Sequence, residues 1–158
     1  MANTQSMCTS FLGELMTATH NFGASPIRAA ATADTFKAAL YLASATLNAS
    51  TTVYSATGEV TGTNYTAGGV TVTNATAPTS TNASTTAGVG YWTSSASLVY
   101  TTVTLSTAFD TVLIYNSTQS NKAVSVHTFG SQTITAGTFT LTMPSNTTTT
   151  ALLRLATT

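Results

Sequence analysis

The chain has 158 residues, of which only 5% are charged, and four Lys plus Arg balance four Asp plus Glu to a formal net charge of zero. Arg28, Lys37, Lys122 and Arg154 are too few and too scattered to displace counterions from a phosphate backbone, which excludes nucleic acid as a partner. No apolar run approaches the ~18 residues of a membrane-spanning helix, and the single cysteine, Cys8, excludes an intrachain disulfide.

The first predicted element is a helix over residues 10–22. Phe11, Leu15, Ala18 and Phe22 recur at the spacing of one helical face. Ser10 is placed as the N-cap, Gly23 as the left-handed C-terminal residue, and Pro26 as the barrier to continuation. Gly13 in its interior costs about 1 kcal/mol relative to Ala, so the helix must dock its apolar face, either on the rest of the chain or on a neighbouring subunit. An Ala-rich connector, residues 27–33, follows.

From residue 34 the apolar period changes to two. Phe36, Ala38, Leu40 and Leu42 mark a first strand. A second is expected from Thr52 to Val60, and another opens at Val70 and Val72 after the turn chemistry of residues 64–69. Residues 73–90 read as a long exposed loop. One strand then spans Ala96 to Leu105, and the apolar run Val112-Leu113-Ile114-Tyr115 reads as a central strand. After a turn at residues 116–122, a strand from Val124 ends at Gly130. A turn at Ala136-Gly137 precedes Phe139, Leu141 and Met143, and Leu152, Leu153 and Leu155 form the last strand.

The expected fold is mainly β: an antiparallel β-sandwich or barrel-like domain of seven or eight strands over 34–158, preceded by an arm, helix and connector over 1–33. Thr, about a quarter of the chain, suits it, being β-branched and supplying a polar strand face without charge. Hydrophobic residues at 42% suffice for a core. A small domain without net charge also tends to self-associate, which favours a homo-oligomer within a larger assembly.

No pattern of catalysis emerges. Glu14, Asp34, Glu59 and Asp110 lie in four different elements. Glu14 reads as the polar face of the helix, Asp34 as a loop residue and Asp110 as a turn cap. His20, near a helix end where a cation is favoured, and His127, within a strand, read as structural. They lack the nearby ligands of a zinc site. Cys8 has no basic neighbour to activate it, and G-x-S-x-G and phosphate-loop patterns are missing. The expectation is therefore no catalytic residue, no metal and no cofactor. Asn-x-Ser/Thr at Asn48, Asn64, Asn74, Asn82, Asn116 and Asn146 reads as compositional. Tyr91 and Trp92, with Tyr100, are candidates for a sugar-stacking platform, though such residues more often fill a core.

The stretches Asp34-Thr-Phe-Lys-Ala-Ala-Leu-Tyr41, Ala45-Thr-Leu-Asn-Ala-Ser-Thr51 and the run Gly58 to Gly69 carry a resemblance, as do Leu113-Ile-Tyr-Asn-Ser-Thr118 and Phe139-Thr-Leu-Thr-Met-Pro144. Together they resemble small virion structural proteins of tailed bacteriophages. That resemblance implies a non-enzymatic capsid decoration (cement) protein, made in the host cytoplasm without a signal peptide and residing in the phage particle. Its partners would be the major capsid protein and copies of itself, with neither nucleic acid nor membrane. The alternatives are a tail-associated, fibre or tube-forming protein and a carbohydrate- or receptor-binding module on Tyr91 and Trp92. Met7, Phe11, Leu15 and Phe22 are the expected contact surface, and deleting residues 1–23 is expected to abolish attachment while the β domain still folds.

Overall fold

The structure, a computed structural model, describes residues 3–16, 18–22, 33–73, 77–81 and 88–156. Among these the chain is mainly β. Strands β1 (Ser6–Met7), β2 (Phe36–Leu42), β3 (Val70–Thr71), β6 (Leu98–Asn116) and β7 (Lys122–Leu141) form one antiparallel sheet in the order β1-β7-β6-β2-β3. A second antiparallel sheet is formed by β4 (Thr79–Ser80), β5 (Val89–Trp92) and β8 (Leu153–Ala156), in the order β4-β5-β8.

The centre of the large sheet is the pairing of β2 with β6, from Phe36 opposite Asn116 to Leu42 opposite Phe109. The sequence dictates this: Leu113-Ile114-Tyr115 and Ala38-Ala39-Leu40 are apolar on both faces and buried on both. The two sheets share core residues, since Trp92 of β5 lies 6.4 Å from Phe36 of β2, with Phe22 between them. A second aromatic cluster, Phe109, Phe129, Phe139 and Tyr100, fills the other half of the β6–β7 hairpin.

Several expected elements form differently. The helix expected over 10–22 is not found at that length; α1 comprises only Thr9–Met16. It stops at Ala18, whose φ of 53° is left-handed. The amides of Ala18 and Thr19 donate back to the carbonyls of Leu15 and Glu14 at 3.0 and 2.9 Å, the hydrogen-bond pattern that closes a helix at a left-handed residue. Ser10 is inside the helix and no cap: its hydroxyl is buried without a partner among the described residues. Gly23, Pro26 and most of the connector lie outside the described residues.

The strand expected from Thr52 to Val60 is reduced to two isolated bridges, Val53 with Lys122 and Glu59 with Tyr41, because the chain turns between them through Gly58 at φ 81°. Conversely, the two strands expected between Ala96 and Tyr115 are one, β6, which begins at Leu98. β7 likewise continues through Gly130 to Leu141. The Ala136-Gly137 turn is instead a bulge: Ala136 is left-handed at φ 47°, and the β6–β7 register shifts between the pairs Val103–Gly137 and Leu105–Ile134. Within the loop expected over 73–90, residues 79–80 form β4 against β5.

Candidate functional site

Three clusters hold most of the described chemistry-bearing side chains. The first joins the N-terminal segment to the sheet. Lys122 Nζ donates to Glu14 Oε1 at 2.6 Å, and Glu14 Oε2 lies 2.7 Å from His20 Nε2. Asn116 Nδ2 donates to Asp34 Oδ2 at 2.7 Å and faces His20 Nδ1 at 3.1 Å. The carboxylate at Nε2 and the amide donor at Nδ1 together assign the Nε2–H tautomer to a neutral His20. Burial pushes the His20 ring below its ordinary range, outweighing the pull of Glu14 and Asp34. At Glu14 burial acts upward, but the hydrogen bonds and charges of Lys122 and His20 together hold the carboxyl below its ordinary range.

Asn116 is the hub. The turn expected after it forms, and its Oδ1 accepts from the amides of Thr118 and Gln119, both at 3.1 Å. Its side chain is fully buried, so this Asn-Ser-Thr site presents no amide to solvent. Asp34 lies in the loop entering β2, as expected, and it also accepts from the Asn21 amide at 2.9 Å and from Gln119 at 3.2 Å. No short-range motif announces this cluster; its members are up to 108 positions apart.

The second cluster is built on Glu59. Tyr54 donates to Oε2 at 2.6 Å, while Tyr65 and the Gly68 amide donate to Oε1 at 2.7 and 2.8 Å. Tyr115 donates to the Gly68 carbonyl at 2.9 Å and stacks on Tyr54. Burial first, and the Glu59 carboxylate after it, push Tyr54, Tyr65 and Tyr115 upward, Tyr115 to about 12. These phenols are donors at neutral pH, so the cluster pins the 54–69 excursion to β2 and β6. Sequence reasoning missed it, since its tyrosines read as ordinary strand and turn residues.

The third is an apolar groove of about 140 Å³ whose lining includes Phe11, Leu15, Phe22, Tyr91, Trp92 and Leu155. It unites residues expected in two separate roles. Phe11 and Phe22 belong to the protein's own core, so they do not form an exposed contact face; Met7 and Leu15 are half-buried. Trp92 is only 2% exposed and cannot offer its face to a sugar, while Tyr91 is half-buried. Deletion of residues 1–23 would therefore uncover core, contrary to the expectation of an intact β domain.

The remaining candidates are placed as follows. Cys8 is fully buried, and burial with the nearby Glu14 charge raises its thiol to about 11. Asp110 lies inside β6, not at a turn, and accepts from Asn3 Nδ2 at 2.9 Å and from Thr111 at 2.7 Å. His127 lies 2.9 Å from Ser125 Oγ, and burial lowers it to about 4. Among the described residues no group of three or more His, Cys, Asp or Glu could hold a metal ion, and no helix is long and apolar enough to cross a membrane. Comparison with protein-family models, curated proteins and solved structures finds no match.

Proposed function

We propose that this chain is a non-enzymatic structural subunit of a phage virion, a decoration protein that binds the head shell and strengthens it through protein–protein contacts. One observation carries the reading furthest. Beyond Phe129 the β6–β7 hairpin presents a long, exposed, hydroxyl-rich and uncharged surface. The carboxylates Glu14, Asp34 and Glu59 meanwhile point into internal hydrogen bonds.

A neutral surface of this kind suits close packing against other protein, because no charge must be desolvated when it is covered. The two sheets with their shared aromatic core are read here as a sandwich that holds the hairpin in place. The resemblance to virion proteins of tailed phages supplies the particle, and the major capsid protein is the proposed partner.

The test uses particles assembled without this chain. Purified protein added to them should co-sediment with the heads and raise the temperature at which DNA is released. Failure to co-sediment, or binding confined to tails, would contradict the head assignment.

A further inference from the structure

The N-terminal segment is fastened to the large sheet through one imidazole. His20 is buried among Phe11, Phe22 and Phe36, with ring centroids 4.9, 6.2 and 6.3 Å away. Its Nε2 meets Glu14 of α1, and its Nδ1 meets Asn116 at the end of β6. The Asn116 amide cannot turn round, because the backbone amides of Thr118 and Gln119 fix its Oδ1. Nδ2 therefore directs its hydrogens at Asp34 Oδ2 and His20 Nδ1, and only an unprotonated Nδ1 can accept.

A proton on Nδ1 sets two donors against each other in a buried site. The Asp34 carboxylate is already engaged there, Oδ2 by Asn116 and the Asn21 amide, and Oδ1 by Gln119. Glu14 is shared with Lys122 at 2.6 Å, so a charged ring adds a second cation to one carboxylate. The charges around the ring are thus Glu14 from α1, Asp34 from the loop entering β2 and Lys122 from β7. β6 contributes the neutral Asn116, and β2 the ring of Phe36.

We propose that protonation of His20 unfastens α1, with Cys8 before it and residues 18–22 after it, while β2, β6 and β7 stay paired. This acid-sensitive latch is independent of the virion reading. α1 has eight residues, fewer than the ~12–15 that an isolated helix needs, so it depends on its docking. β2 and β6 instead pair without interruption from Phe36 opposite Asn116 to Tyr41 opposite Thr111. Once released, the ring returns to its ordinary 6.5 from the lower value that burial imposes. Opening therefore takes up a proton and is favoured as pH falls below about 6.5. Glu14, also held low, adds to this only towards its ordinary 4.5, and Cys8, at about 11, does not titrate in this range.

Cys8 is the only cysteine of the chain and is fully buried, so its reaction with a pyridyl disulfide counts opening in the whole protein. Divided by the rate for the urea-unfolded chain at the same pH, this rate should rise by up to about tenfold per pH unit below about 6.5. It should level off at the midpoint of the His20 ring titrated by NMR. Amides of β2 and β6 should stay protected, and low urea should change the rate little, because local opening exposes little surface. His20→Gln should remove the pH dependence, while His127→Gln should keep it. If His20→Gln does not fold, the NMR midpoint decides the matter in the parent protein. A pH-independent rate, a plateau away from that midpoint, a rise accompanied by loss of β2 and β6 protection, or a slope that survives His20→Gln would overturn the latch.

Discussion

Asn116 Nδ2 donates to Asp34 Oδ2 at 2.7 Å across 82 positions of sequence, and both side chains are buried. This bond ties the end of β6 to the start of β2, and Asn116 simultaneously holds the following turn through the Thr118 and Gln119 amides. Replacing it strands two buried partners, Asp34 and His20, and frees the two turn amides. Asn116→Ala should therefore cost about 2–4 kcal/mol, since an unsatisfied buried group costs about 1–3 kcal/mol and more when charged. The shift of the urea midpoint measures it, and a loss below about 0.5 kcal/mol would remove Asn116 as the hub.

Acid should weaken the fold, through groups held low in the native state. The folded pKa values of His20 and His127 lie below the ordinary histidine value of 6.5, so the unfolded chain takes up these protons first. Their contribution is complete above about pH 6.5 and is lost as pH falls, for His127 down to about pH 4. Glu14, also held low, adds a loss further down, as pH falls below its ordinary 4.5. Urea midpoints between pH 8 and pH 4 should decline from about pH 6.5. His127→Gln should flatten that decline; an unchanged slope would mean the ring is not buried in its neutral form.

Ala18 pays for the left-handed helix end. A non-glycine residue there costs about 1–2 kcal/mol, and Ala18 is exposed, so nothing is lost by removing its methyl. Ala18→Gly should stabilise the protein by about 0.5–1 kcal/mol, read as a higher thermal midpoint. A lower midpoint would mean that residue 18 is not left-handed.

At Gly69 the opposite holds. A Cβ there would lie 1.7 Å from the Ala38 carbonyl oxygen, and φ is 72°. Gly69→Ala must push the 54–69 excursion off β2. A cost of at least about 3 kcal/mol is expected, the range of severe point changes, with loss of the native tyrosine fluorescence. Wild-type stability in this variant would disprove the close approach.

The elements legible in the sequence were those with strong period-two or continuous apolar patterns. Phe36 to Leu42 reads directly as β2, and of Leu152, Leu153 and Leu155 all but Leu152 lie in β8. The helix boundary is misplaced because Ala18, a good helix former, takes the left-handed conformation that closes α1 through local bonds to Leu15 and Glu14. Gly130 and Ala136-Gly137 carry turn chemistry, yet the long pairing with β6 absorbs them within one strand. The polar clusters were illegible for a different reason: Glu14, His20, Asp34 and Asn116 meet only through long-range contacts, which local spacing does not encode. Trp92 fills the core, as such aromatics more often do, but at Phe11 periodicity does not tell a face buried at home from one offered to a partner.

The proposed place of the chain in the head shell is tested most directly by its copy number per purified virion, measured by quantitative mass spectrometry against the major capsid protein. A number comparable with that of the major capsid protein is predicted. A handful of copies per particle, or none, would contradict it.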